Sequence, residues 1–163
     1  MPVELGLRVC VVEDRHGFIL HRHVMEKTTD DQVAVPITGQ TKERFPQLES
    51  MSFDKGFHSP ANQSALKEIV GQVVLPRKGR LSEAAKAIES GPEFARLRRR
   101  HSAVESAINA LEVHGPDRCP DHGIDGFKRY VALAVVARNI HRLGAVLRGQ
   151  EAKRRRGHYK KAA

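Results

Sequence analysis

The sequence predicts an α/β (α+β) chain, a mixed sheet flanked by helices, and three observations carry that expectation. The chain opens on a hairpin pattern: LGLRVCVV at 5–12 and FILHRHVM at 18–25 enclose the turn EDRHG. Short β-type runs then alternate with helical stretches, as in chains that fold back onto one sheet. The last third has long helical periodicity, with Val104, Ala107, Ile108 and Leu111 at i, i+3, i+4 and i+7.

The elements follow in order. Thr28-Thr29-Asp30-Asp31 offers N-cap chemistry for a helix over about 30–44, which Pro36 and Gly39 weaken internally. A short strand is expected over 48–53. Ser59-Pro60 then starts a helix over 60–70, with Leu66, Ile69 and Val70 on one face. Gln72 to Leu75, a short VVL run closed by Pro76, is a further strand. The basic loop PRKGR follows, and Ser82 with Glu83 opens a helix over 82–89. Gly91-Pro92 breaks it and begins another, from Glu93 to about Val113. A Gly-, Pro- and Asp-rich loop covers 114–126. The last helix, about 127–147, is apolar on most sides and is expected to pack deep against the sheet. These elements make one domain, 1–147. Residues 148–163 form a basic tail, expected to be disordered.

Composition narrows the function classes. Net charge is +9, from 28 Lys and Arg against 19 Asp and Glu. The excess is internal as well as terminal: Arg77-Lys78-Gly79-Arg80 and Arg96-Leu97-Arg98-Arg99-Arg100 lie mid-chain. A polyanion is the expected partner, with nucleic acid first. Two cysteines in unrelated contexts, Cys10 and Cys119, suggest no disulfide framework. The N-terminus shows no secretory pattern. The longest apolar run, Tyr130–Ala137, falls far short of the ~20 residues needed to span a bilayer. A cytoplasmic protein with no membrane partner is expected.

The stretch SFDKGFHSPANQ raises the chemical question. Asp54 stands at the end of a β-type run, where α/β sheets place their sites. Alone, it is an ordinary turn aspartate. Glu105 stands beside an apolar helical stripe, with Arg98 and His101 before it; alone, it is a solvated glutamate. Together they pair a strand-end Asp and a helical Glu with arginines nearby. Hard divalent cations take such oxygen ligands, and the flanking cations would hold phosphates for displacement at a phosphodiester. Other groupings are weaker. His114, Cys119 and His122 have the spacing H-x4-C-x2-H, a poor zinc signal without a second thiol. Cys10 reads as a core residue. His21 and His23 face solvent or a neighbouring helix. Arg138 and Arg142, one turn apart, either line a DNA path or form the wet stripe of their helix.

SFDKGFHSPANQ, then VVLPRKGRLSE, then RRRHSAVESAINALEVHGPDRCPDHGIDGFKRYVALAVVARNIHRLG closely resemble bacterial insertion-sequence transposases of the ISNCY type. These carry a DDE catalytic domain of ribonuclease-H-like fold. The resemblance covers residues 1 to about 147. It implies that Asp54 is the second acid of the catalytic triad and Glu105 the third, both holding Mg²⁺ or Mn²⁺. It also implies a DNA partner, both transposon ends and target, contacted here by Lys55, Arg77, Lys78, Arg80, Arg98, Arg99, Arg100 and His101. The parent reaction is metal-dependent strand cleavage followed by strand transfer.

The sequence departs from that pattern. The family's first Asp lies on the first strand, upstream of a segment like MPVELG. Asp14 falls in a hairpin turn, and Asp30 and Asp31 at a helix start, so none replaces it. Around Glu105, Arg98 stands at the Tyr-like position, His101 at the Arg position and Glu112 at the Lys position. The expectation is a C-terminal transposase portion whose ribonuclease-H-like sheet lacks its first, central strand. Such a chain is inactive alone, or active only with a homo-oligomeric partner or a full-length transposase. A non-catalytic nucleic-acid-binding protein and a non-functional remnant are the alternatives.

Overall fold

Residues 7–92, 94–98 and 119–161 are described by the structure, a computed structural model. Arg8–Glu13 (β1) and Ile19–Met25 (β2) pair antiparallel, with Val12 opposite His21 and Cys10 opposite His23. Asp14 builds the turn: its Oδ1 accepts from the amides of His16 (2.8 Å) and Phe18 (2.9 Å). Gly17 takes φ +81, a left-handed conformation open to glycine at no steric cost. A bulge at Val12/Glu13 shifts the register.

Cross-strand partners share a face, and successive residues alternate. One face of the hairpin therefore carries Cys10, Val12, His21 and His23, and the other carries Val9, Val11, Arg22 and Val24. The first meets the helix Asp30–Arg44 (α1), whose Arg44 Nη1 lies 3.3 Å from His21 Nδ1. The second meets the last helix, where Val11 packs on Ile19, Ala134 and Val135.

Helix α1 begins as the sequence predicts. Thr29 is its N-cap, and the Gln32 side chain accepts from the Thr29 amide at 2.9 Å. Val33, Ala34, Ile37, Thr38 and Thr41 form its buried stripe. Thr38 and Thr41 are burial-tolerant because their hydroxyls donate to the carbonyls of Ala34 (2.7 Å) and Ile37 (2.6 Å). Pro36 is accommodated on the exposed side.

Ser50–Ser52 (β3) and Gln72–Val74 (β4) pair in parallel across the helix Pro60–Ile69 (α2). Phe53, Leu66 and Leu75 bury against Ala34 of α1, with Met51 and Val73 beside them. Glu83–Ser90 (α3) is capped by Ser82, whose hydroxyl accepts from the Ala85 amide. Residues 94–98 are helical, and the rest of the helix expected from Glu93 to Val113 lies outside the described residues.

The four described strands form two separate two-stranded sheets, β1–β2 and β3–β4. The chain is thus mixed α and β, with small sheets. Two expectations, about the last helix and the tail after it, need correction. The last helix (α4) spans Gly123–Lys161, and it is not deeply packed. Val131, Ala134 and Val135 bury against the hairpin, while Leu133, Val136, Ile140, Leu143 and Leu147 are exposed. The helix also passes through the stretch read as a tail. Residues 150–156 are good helix formers, and Arg155 pairs with Glu151 four residues before it. By length and composition α4 is the one described helix able to cross a membrane, with a mean hydropathy of 1.2 over its best window.

Candidate metal and nucleic-acid site

Because β3 and β4 run parallel, both leave the sheet at the same end. The backbone pairing continues one residue past β3, with the Phe53 amide donating to Val74 O at 2.8 Å. Asp54 follows at once and is exposed. It caps the short 3₁₀ turn Lys55–Phe57, its Oδ1 accepting from the Lys55 amide at 2.8 Å. The turn-aspartate role is therefore real. It occupies one carboxylate oxygen and leaves the side chain facing solvent, so the two readings of Asp54 are compatible.

This end is tied down by Asn62. Its Nδ2 donates to Phe57 O (2.9 Å) and to Asp31 O (2.6 Å), which joins the 54–58 turn, α2 and the start of α1. Asp30 lies against the same turn: a Cβ on Gly56 would sit 2.6 Å from its Oδ2. Arg8 holds the other oxygen, Nη1 to Oδ1, at 3.1 Å. Glycine at 56 leaves room for this carboxylate, which a larger side chain would displace.

The basic loop emerges beside this turn, from β4. Arg77, Lys78 and Arg80 are exposed, and Gly79 takes φ +82. The Arg77 amide donates to Glu89 Oε1 (2.9 Å), fixing the loop's start on α3. Asp31 lies close enough to Lys78 to feel its charge, and a hydrogen bond from Thr29 is the larger cause of its lowered pKa. Asp54, Lys55, Arg77, Lys78 and Arg80 thus gather at one end of the parallel pair. Arg98 is exposed on the helical stretch 94–98. Glu105, Arg99, Arg100 and His101 lie outside the described residues, as does His114. Among the described residues no three His, Cys, Asp or Glu side chains group as a metal site. An Mg²⁺ site takes one or two protein carboxylates together with waters and substrate phosphates, and of the two expected here only Asp54 is described.

A second feature carries no sequence signal. Between the two sheets runs a groove of about 850 Å³, lined by Val11–Arg15 of β1 and its turn, by Gln47–Ser52 of β3 and its approach, and by Arg138 and Arg142. The strand edges facing it, β1 and β3, have no further strand neighbour among the described residues. Glu13 Oε2 and Arg138 Nε are buried there without hydrogen-bond partners. Burial pushes the Glu13 carboxyl above its usual range, against the pull of Arg138. Arg142 donates through Nε to His16 O. Both arginines line this groove.

Cys10 behaves as the sequence suggested. Burial, with the Asp30 carboxylate nearby, pushes its thiol up to about 12, so it stays protonated and unreactive. His21 is buried, and desolvation followed by the Arg44 charge lowers its pKa.

Compared with protein-family models, curated proteins and solved structures, the chain gives no match.

Proposed function

We propose that this chain is the C-terminal part of a DDE-type transposase catalytic domain, and that it handles DNA at the shared end of β3 and β4. The observation that carries this reading is the placement of Asp54. It stands at the C-terminal tip of β3, beside a basic loop, and across from β3 runs a groove toward β1. In a ribonuclease-H-like sheet the first strand lies between the second and the fourth. On the proposed correspondence those are β1 and β3, and the groove is where that strand would sit.

Asp54, with Glu105, would hold Mg²⁺ or Mn²⁺, and the ion would supply charge stabilisation at the attacked phosphate. Lys55, Arg77, Lys78 and Arg80 bind backbone phosphates and set the DNA register, a role that asks for charge and reach rather than base contacts. Without a first-strand acid the chain binds DNA but does not cut it alone.

The test combines salt-dependent DNA binding with strand cleavage in Mg²⁺ or Mn²⁺, for wild type and Asp54→Ala. The expected result is binding that weakens steeply with salt and no cleavage by either protein. Cleavage restored by a full-length transposase lacking its own Asp54 equivalent, and lost again with Asp54→Ala, supports the catalytic ancestry. Absence of DNA binding at low salt overturns the proposal.

A further inference from the structure

Helix α4 carries two stripes, an inner one that mixes apolar residues with arginines and an outer one that is apolar throughout. Its inner stripe follows Val131, Val135, Arg138 and Arg142, packed on the hairpin or lining the groove. Its outer stripe is Leu133, Val136, Ile140, Leu143 and Leu147, with exposures of 67, 53, 64, 48 and 55%. At 3.6 residues per turn the outer stripe lies about 160° around the helix from the inner one. Hairpin contact with the inner stripe therefore leaves the outer one uncovered among the described residues.

The spacing of the outer stripe suits a second helix. Its residues are separated by three, four, three and four positions, the a/d repeat with which one helix seats its side chains between those of another. Ala137 and Gly144 flank the seam, so a neighbouring backbone can come close. The same spacing would suit other flat apolar surfaces, and it is the charge at the two ends of the stripe that selects a second copy of α4.

Charge chooses the orientation. Lys153, Arg154 and Arg155 follow the seam and Asp125 precedes it, all on the same helix. Parallel pairing would bring the basic ends side by side. Antiparallel pairing with Leu133 beside the partner's Leu143, and Val136 beside the partner's Ile140, sets Asp125 across from the partner's Lys153. Both occupy the seam-flanking position that antiparallel helices use for ion pairs. The seam is self-complementary under a two-fold axis, and a two-fold interface repeats one patch on both copies.

We infer that the exposed face of α4 is a homodimer interface in which a second copy of the chain packs its own α4 antiparallel, seam to seam, with reciprocal Asp125–Lys153 pairs. This inference is independent of the nucleic-acid reading.

Sedimentation equilibrium of the full chain over a wide concentration range tests it. The expected species is a reversible dimer. Ile140→Asp, on the exposed face, converts it to monomer without changing the circular dichroism spectrum. Asp125→Lys and Lys153→Asp each weaken the dimer by roughly three- to tenfold, and the double exchange restores it. Ala137→Cys gives an intersubunit disulfide across the axis, which a parallel pair cannot form. A chain monomeric throughout overturns the inference. So does a dimer indifferent to Ile140→Asp, or a monomer that binds phosphatidylcholine vesicles through this face.

Discussion

The side-chain amide of Asn139 satisfies both backbone groups of Ile19. Its Oδ1 accepts from the Ile19 N–H at 2.9 Å, and its Nδ2 donates to the Ile19 C=O at 2.9 Å. One carboxamide thus acts as a one-residue strand neighbour where β2 begins, next to the bulge. It fixes α4 on the hairpin across 120 positions of sequence. Asn139→Ala leaves two half-buried backbone groups unpaired, each costing about 1–3 kcal/mol. The expected loss is about 2–4 kcal/mol, measured by urea unfolding. Asn139→Asp loses only the donor and should fall between; a loss below about 0.5 kcal/mol for the Ala variant refutes the bridging role.

Local chemistry made most of the elements legible from sequence. The hairpin turn, the Thr29 and Ser59 caps and the Ser82 start all stand where their side chains predict. The range expected for α1 matches Asp30–Arg44 despite Pro36, because the proline falls on the exposed side and the buried stripe outweighs it. What failed were statements about how the last helix packs and where it ends. The apolar character of α4 is real, but periodicity says how many faces are apolar, not how many are covered. The groove contacts of Glu13 and Arg138 had no signal either, since a turn Glu and a helical Arg look alike whether they face water or a gap between sheets. Asp54 was legible as the end of a strand, and the parallel pairing that sets it beside Arg77 and Lys78 followed from the βαβ order.

Gly56 reports on the same end of the molecule. A methyl group there would sit 2.6 Å from Asp30 Oδ2, so the carboxylate must move and release Arg8. Gly56→Ala should cost about 1–2 kcal/mol in chemical denaturation. Removing the obstacle separates clash from backbone effects: in an Asp30→Ala background the same substitution should cost much less, a coupling that a double-mutant cycle measures. Additive costs would show that the contact is not the cause.

His21 makes stability depend on pH. Its folded pKa lies below the value of about 6.5 expected when unfolded, through burial first and the Arg44 charge second. The unfolded chain then binds the proton more readily. The contribution of neutral His21 is therefore complete above pH 6.5. It is lost as pH falls from there toward the lowered folded value, and the loss levels off below it. The melting temperature should fall across this window, and His21→Gln should flatten the fall. An unchanged slope in the variant assigns the effect to other groups.

Arg77, Lys78 and Arg80 predict a salt slope. If each neutralises one phosphate, replacing all three by alanine should reduce the dependence of log K on log salt by about 2 to 3, from ~0.9 per contact. All three are exposed, so folding should not change. Fluorescence anisotropy on duplex DNA across a salt series gives the number. An unaltered slope with weaker binding would place the phosphates elsewhere on the chain.

The divided sheet predicts uneven protection. Among the described residues β1 and β3 each have a strand on one side only, and an isolated two-stranded unit is marginal in water. The α1–α2 core is closed by Ala34, Phe53, Leu66 and Leu75, so its amides should exchange only on global unfolding. Hydrogen exchange should therefore find β1 and β3 opening well before the interior turns of α1. An added peptide that pairs with these edges should raise protection at Val11, Val12 and Met51, which face the groove, while leaving Leu66 unchanged. Uniform slow exchange through β1, β3 and α1, with one cooperative thermal transition, would mean that the gap is not a weak point in the fold.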